Sequence, residues 1–441
     1  MQKDYINLNL KTPYGGAYLL TVFHLVPAAG SDILGIASEV AAESSTGSNV
    51  QVVDTKFAAG LNAQVYKVDK KTILVWIAYP WRIFDRGGTI QNILTFIAGN
   101  IFGVADVKAL KLLDVWFPKE MLKHYDGPKV SMPELRKYLK VYNRPVLGTI
   151  IKPKIGLKPH EYAHKAYLFW SGGGDFVKND EPQSDQDFCP FDETVDKIRE
   201  AMDKAEHETG HTKVHSFNIS AADLDTMKKR AEYVIKKMKP GSYCFLVDGI
   251  TAGWTALQTS RRLWPNVFLH FHRAGHGAMT RPENPIGYTA GVLSKFARLA
   301  GASGVHTGTA GIGKMAGTVE EDIFAAHSAY LPKVKSKYFE QDWHGMKGTV
   351  SIASGGLNPT RLAPYIKVIG HVDFITTMGG GVHAHPMGTR GGATALVQAC
   401  KAWQKKVSIE KYAKNHKELA LAIEFYKSKG LAWGDKKGDR V

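Results

Sequence analysis

VLGTIIKPK (146–154), DFVKNDE (175–181), KVHSFNIS (213–220), YCFLVDG (243–249), VFLHFHRAGH (267–276), SGVHTGT (303–309), TVSIASGG (349–356) and FITTMGGG (374–381) are the eight stretches that decide the fold. Each is a short apolar, β-branched run ending in polar or glycine residues, and most are followed by a helical pattern. Near-continuous apolar runs suit parallel strands buried on both faces. Their starts lie roughly 25–45 residues apart, enough for a strand, a loop and a crossover helix. Eight such units over roughly 250 residues predict a (β/α)8 barrel.

Working outward, the stretch before residue 125 has a different rhythm. Strand-like segments at Ala17–Leu25, Asn49–Val53, Ala63–Val68 and Thr72–Ala78 alternate with helix-like ones at Ser31–Ala42 and from Thr89. YDGPKVSMPE (125–134) then supplies turn residues and a helix start, with Ser131 and Glu134 at capping-box spacing and Pro133 in the first turn. The expected organisation is an α/β chain, with a smaller N-terminal α+β domain over residues 1–130 and a barrel domain over 131–441. A Lys-rich helical region from Thr394 to Lys429 caps or extends the barrel.

Composition bounds what such a chain does. The 441 residues carry 44% hydrophobic and 22% charged residues, ordinary for a globular protein. No stretch approaches the ~18 apolar residues of a membrane span, and MQKDYINLNLK (1–11) lacks a signal-peptide core. Cys189, Cys244 and Cys400 build no disulfide framework, so a cytoplasmic location is expected. The net charge of +16 suits anionic substrates. It is spread in short patches such as Lys228–Arg230 rather than a dense basic tail, which argues against a nucleic-acid partner.

Barrel chemistry sits at the C-terminal ends of the strands. Those ends offer Lys152 and Lys154, then Lys178, Asp180 and Glu181, then His272, Arg273 and His276. His306, Ser354–Gly356 and Gly379–Gly381 complete the set. Asp180 and Glu181 could give a hard divalent ion two oxygen ligands, but an ammonium at Lys178 would repel it. Conversion of that amine to a carbamate with CO2 replaces the cation by an oxygen anion, and burial makes the required deprotonation accessible. By itself the tetrapeptide KNDE is more often a plain ion pair. ASGG and MGGG follow strands seven and eight, where barrel enzymes often bind phosphate. Cations at other strand ends allow a second anion site, so a substrate with a phosphate at each end fits. In HRAGH, Gly275 breaks the helical reading that a zinc pair would need. Lys314, in GTAGIGKMAG, reads as a cation on a mobile lid.

Together AAESSTGSN (41–49), GTIIKPKIGL (148–157), GGDFVKNDE (173–181), HRAGHGA (272–278), GVHTGT (304–309), GKMAG (313–317), QDW (341–343) and ASGG (353–356) resemble the large subunit of ribulose-1,5-bisphosphate carboxylase/oxygenase (Rubisco) over essentially the full length. The wording and short chain are similar to the form II or II/III branches, which work without small subunits.

The resemblance implies that Lys178 is the carbamylated lysine, joining Asp180 and Glu181 around Mg2+ and abstracting the C3 proton of ribulose 1,5-bisphosphate. It gives Lys152 proton transfer at C2 with support from Lys154, and His272 proton handling. Arg273 and His306 would hold one phosphate. Gly355, Gly356, Gly379, Gly380 and the segment around Ser48 and Asn49 would hold the other, with Ser354 on a substrate hydroxyl. Lys314 would meet the carboxylate formed as CO2 adds, and O2 would compete with CO2. Glu43 and Asn100 would reach the neighbouring subunit's site, making a homodimer, or multiples of it, the functional unit. Ser48 keeps the hydroxyl of the threonine that many members carry. Ala316 replaces an acidic residue of the lid and is expected to alter lid closure and CO2/O2 selectivity. A Rubisco-like enolase or isomerase of methylthio-sugar phosphates is the alternative. It would be expected to alter the lid lysine or phosphate residues that this chain keeps.

Overall fold

The structure, a computed structural model, describes residues 3–11, 13–48, 55–314 and 317–434. Asn49, the expected strand Asn49–Val53 and Ala316 lie outside them. The chain divides into two compact units. One holds the residues up to Gly127 together with Gly275–Gly301 and Leu331–Lys347; the other holds Pro128–Ala274, Ala302–Tyr330 and the chain from Gly348 onward. A single cut at residue 130 therefore misses two excursions that leave the barrel half for the first unit.

In the first unit, Tyr18–Pro27 pairs antiparallel with both Leu74–Pro80 and Val107–Trp116. Gln64–Asp69 extends one edge of this five-stranded sheet, and Ile286–Tyr288 lies parallel to Val107–Trp116 at the other. Leu20, Val22, Trp76, Ala78 and Phe339 form a buried cluster in this unit. Strands Tyr18–Pro27, Gln64–Asp69 and Leu74–Pro80 and helix Ile33–Glu43 match the sequence expectation to within a few residues. Val107–Trp116 was not expected, because Lys108, Lys111 and Asp114 interrupt its apolar run. Two of those charges are buried and partnered: Lys111 Nζ donates to the Arg281 carbonyl, and Asp114 pairs with Lys295.

The second unit contains all eight expected strands, in chain order: Gly148–Ile150, Phe176–Lys178, Val214–Asn218, Tyr243–Asp248, Phe268–His272, Gly304–His306, Val350–Ala353 and Phe374–Thr376. Every neighbouring pair is parallel. The ring closes between the last strand and the residues entering the first, through the Val146–Ile375 bridge and Met378 N–H to the Gly148 carbonyl at 3.0 Å. Helices such as Pro159–Ser171, Phe191–Thr209 and Leu224–Lys237 make the crossovers. Gly388–Gln404, Ile409–Ala413 and Lys417–Ser428 form the expected helical extension.

Helix Met132–Leu139 decides which mouth of the barrel is free. Its Ser131 N–H donates to Glu134 Oε2 at 2.8 Å, as the capping-box spacing predicts. Met132, Leu135 and Leu139 pack with Val146, Phe176, Val214, Cys244, Phe268 and Val350, which lie at or near the strand starts. Each large apolar side chain buried there contributes about 1.5–3 kcal/mol. The N-terminal mouth is thereby plugged, and the C-terminal ends are left for chemistry.

Candidate active site

Strand two ends on Lys178, whose side chain is 0% exposed. Its Nζ has no hydrogen-bond partner, and the nearest carboxylate oxygen, Glu181 Oε2, stands 3.9 Å away. Burial pulls the amine below its ordinary value, with Lys152 adding to the effect and Glu181, Asp180 and Asp248 opposing it. This is a buried amine that gives up its proton more readily than an exposed lysine.

The turn beyond it carries the two carboxylates. Asn218 Nδ2 donates to the Glu181 carbonyl at 2.8 Å, and Asn179 Oδ1 accepts from Asn218 N–H at 3.0 Å, so strand three fixes the turn. Lys152 Nζ donates to Asp180 Oδ2, and Lys154 Nζ stands 3.3 Å from Glu181 Oε1. Burial, followed by the neighbouring Glu181, raises the Asp180 carboxyl, with the Lys152 bond opposing. Burial pushes Glu181 up too, but a hydrogen bond shared with Asp180 and the charges of His272 and Lys178 outweigh it and leave Glu181 below the usual range. Of the two, Asp180 is the weaker acid.

His272, at the end of strand five, lies between two carboxylates, with Nε2 3.4 Å from Glu181 Oε2 and Nδ1 3.1 Å from Asp248 Oδ1. Burial and then Lys178 lower its pKa, against both acids. Arg273 is buried beside it. Desolvation lowers its pKa too, while Asp322 and Glu321 supply opposing charge. Burial in turn raises Asp322 to about 6, and its carboxylate accepts the N–H groups of Thr309 and Ala310 at 3.0 and 2.9 Å. Asp322 thus anchors the start of the loop that carries Lys314.

Lys314 itself is exposed, and its N–H donates to the Gly355 carbonyl at 2.9 Å, so this loop meets the ASGG turn. A Cβ on Gly356 would fall 2.8 Å from that nitrogen, and one on Gly379 2.9 Å from Lys152 Cε. Glycine is required at Gly356, where the neighbour is backbone and φ is +93°, whereas at Gly379 the flexible end of Lys152 would have to move aside. Gly380 faces open space. Ser354 Oγ lies 2.8 Å from His306 Nδ1.

The second unit thus gathers Lys152, Lys154, Lys178, Asp180, Glu181, His272, Arg273, His306, Lys314, Ser354, Gly355, Gly356, Gly379 and Gly380 at or beyond the ends of its strands. Glu43, Ser48 and Asn100 fall in the first unit, where Asn100 Nδ2 is 3.5 Å from Glu43 Oε1. His276 also falls there and bonds Thr280 Oγ1 at 2.6 Å, and Gly275 at φ +86° breaks any helical HRAGH pair. Asp248, His270 and Ser216 were missed by the sequence reading. The strand-end rule would have found Asp248, and the two-residue spacing of His270 and His272 puts both on one face of strand five.

Among the described residues no group of three or more His, Cys, Asp or Glu is arranged to hold a metal. Asp180 and Glu181 offer oxygens for a hard divalent ion, and a carbamate on the unpartnered Lys178 amine beside them would add a further oxygen. The donor set and the unpartnered buried amine fit a magnesium ion bound together with a lysine carbamate.

A plugged barrel whose open mouth collects lysines, an arginine and glycine turns around a carboxylate pair is the scaffold of a (β/α)8 enzyme for anionic substrates. Residues 4–121 match the N-terminal domain of the ribulose bisphosphate carboxylase large chain, and residues 131–426 match its catalytic domain. A ribulose bisphosphate carboxylase of Rhodobacter capsulatus is 43% identical over 439 residues, covering 96% of this chain and 95% of that one. One from Rhodopseudomonas palustris (strain BisA53) is 44% identical over 440 residues, with the same coverage. Among solved structures, the dimeric archaeal Rubisco of Hyperthermus butylicus superposes with a TM-score of 0.88 at 35% identity, over 96% of this chain and 98% of that one. The octameric enzyme of Pyrococcus horikoshii gives 0.87 at 34%, covering 96% of each. The chain belongs to the Rubisco large-chain family. These relatives all carry the carboxylase or Rubisco name, which gives the enolase or isomerase alternative no support.

Proposed function

We propose that the chain carboxylates ribulose 1,5-bisphosphate with CO2 and water to two molecules of 3-phosphoglycerate, with O2 competing for the same enediolate. The observation that carries this reading is the Lys178 amine, fully buried, without a hydrogen-bond partner and flanked by Asp180 and Glu181. A buried cation so poorly compensated is costly. Addition of CO2 relieves it: the ammonium first gives up one proton, the neutral amine forms an N–C bond to CO2, a second proton leaves the nitrogen, and the cation is replaced by an oxygen anion. Lys178, Asp180 and Glu181 would then hold Mg2+, which when bound supplies Lewis-acid stabilisation to the enediolate oxygens.

The remaining roles belong to the chain's own side chains. Lys178 is the base for the proton at C3. Lys152, bonded to Asp180, moves the proton at C2, and Lys154 supports it through Glu181. His272, between Asp248 and Glu181, handles protons on the substrate oxygens. Arg273 holds one phosphate, and His306, whose two ring nitrogens are bonded to His270 and Ser354, backs Ser354 rather than meeting that phosphate itself; Gly355, Gly356, Gly379, Gly380, Ser48 and Asn49 hold the other; Ser354 meets a substrate hydroxyl. Lys314 pairs with the newly formed carboxylate while the lid excludes water. Two copies of the chain form the minimal enzyme, with Glu43 and Asn100 of the partner subunit completing each site. No small subunit is needed. The enzyme's place of work is the cytoplasm; among the described residues no helix is long and apolar enough to cross a membrane.

Incorporation of labelled CO2 into acid-stable product, with ribulose bisphosphate and with or without preincubation in bicarbonate and Mg2+, tests the reading. Preincubation-dependent incorporation is expected, and none under either condition would refute it. Mixed dimers of Glu43→Gln and Lys178→Ala chains are expected to recover part of the activity that each homodimer lacks. Heterodimers without such recovery would refute the shared site.

A further inference from the structure

Inside the barrel a run of four polar side chains crosses from strand three to the turn after strand seven. Ser216 Oγ lies 3.2 Å from His270 Nδ1, His270 Nε2 lies 2.9 Å from His306 Nε2, and His306 Nδ1 lies 2.8 Å from Ser354 Oγ. Ser216 and His270 are fully buried and His306 nearly so, whereas Ser354 is half-buried and ends the run at the open mouth. Both ring nitrogens of both histidines are therefore committed to this one path.

We propose that Ser216, His270, His306 and Ser354 form a hydrogen-bond chain of fixed direction, in which His270 is a positioning residue that makes Ser354 a donor to the bound bisphosphate. The inference deepens the carboxylase reading and rests on it for the identity of the ligand.

The direction follows from counting protons. Burial lowers both imidazoles well below the ordinary histidine value, which favours the neutral ring. Around His270, Lys178 and His272 add to that effect against Glu181; around His306, His272, His270, Lys178 and Arg273 all act the same way. A neutral imidazole has one N–H. A 2.9 Å contact between two Nε2 atoms then needs one proton between them, so the rings must adopt opposite tautomers. If His306 donated to His270, His270 would carry its proton on Nδ1 and donate to Ser216, and the Ser216 hydroxyl proton would need a different acceptor. Among the described residues Ser216 Oγ has no partner other than His270, and a buried hydroxyl proton left without an acceptor is disfavoured. In the other direction every group is satisfied. Ser216 O–H donates to His270 Nδ1, His270 Nε2–H donates to His306 Nε2, and His306 Nδ1–H donates to Ser354 Oγ. The Ser354 hydroxyl proton is left for the ligand. An oxygen acceptor on the substrate, anionic or neutral, is then preferred over a donor at that position.

Neutron diffraction on deuterium-exchanged crystals of the full chain reads the arrangement directly, without turnover. Deuterium on His270 Nε2 and His306 Nδ1 is expected. Deuterium on His306 Nε2, or on both nitrogens of either ring, would overturn the proposal even if the enzyme carboxylates normally, so it fails separately from the functional reading. A kinetic arm uses ribulose 1,5-bisphosphate with His270→Phe and His270→Gln. The phenylalanine variant is expected to raise KM about tenfold with kcat much less affected, and glutamine, whose amide N–H still reaches toward His306, to recover most of that loss. Equal KM values in the two variants, or a loss confined to kcat, would overturn it. Folding of each variant is checked by its thermal transition, and the neutron result on the parent chain decides the question if either variant fails to fold.

Discussion

Two buried lysines, one in each unit, show what this protein does with charge. Lys295, on helix Ala290–Leu299 of the first unit, is 1% exposed and donates to Asp114 Oδ1 at 2.6 Å and to the Val115 carbonyl at 2.7 Å. Asp114 also accepts from Ser336 Oγ at 2.6 Å and from Val115 N–H at 2.8 Å. Lys178 is buried as deeply, yet its amine has no hydrogen-bond partner and its nearest acid oxygen is 3.9 Å away. The first lysine is satisfied by the fold and ties a strand to a helix. The second is left unsatisfied, which is the condition that the proposed carbamylation would relieve. Equal burial with unequal partnering separates a structural charge from a chemical one.

The contrast breaks if the two lysines respond alike to the same substitution. Lys178→Met is expected to abolish carboxylation, by about a thousandfold or more in the labelled-CO2 assay, since no neighbour replaces the missing oxygen. Its denaturation midpoint should stay unchanged or rise, because an uncompensated buried amine has been removed. Lys295→Met should do the reverse. Urea denaturation is expected to show a loss of about 3–5 kcal/mol from the stranded Asp114, with turnover per folded molecule within about twofold of the parent.

Activation should carry the signature of the lowered Lys178 pKa. Only the neutral amine adds CO2, so below that pKa the activation rate at fixed dissolved CO2 should rise about tenfold per pH unit. Above it the rate should level off, and because burial lowers the pKa the plateau begins before the ordinary lysine value of about 10.5. Rates measured by preincubation at stepped pH, followed by assay at one pH, check this; a flat profile would contradict it. The smallest effect is expected at Asp114→Asn, which keeps an acceptor for Lys295 while losing the charge and should cost about 1–3 kcal/mol in the same denaturation experiment.

How much of this was legible depended on how local each signal is. The eight barrel strands announced themselves, because a strand covered on both faces must be apolar along its whole length. Helix Met132–Leu139 was marked by Ser131 and Glu134, whose cap is made within three residues. The barrel's candidate site residues followed from the strand-end rule once the strands were placed, whereas Glu43, Ser48, Asn49 and Asn100 came only from the family resemblance. Val107–Trp116 was not legible, since its Lys111 and Asp114 are tolerated only through Arg281 and Lys295, more than 160 residues away. Nor could the sequence show that Gly275–Gly301 and Leu331–Lys347 leave the barrel half for the first unit.

The sequence by itself determined the number and order of the barrel strands, the side chains at their ends and the family, because these are properties of short segments. Only the tertiary structure decided which buried charges are matched and which are not, and that Ser216, His270, His306 and Ser354 meet in a line. The reason is geometric. Whether a polar group has a partner depends on atoms that the closed barrel brings within about 3 Å, and no pattern along one strand specifies what stands opposite it.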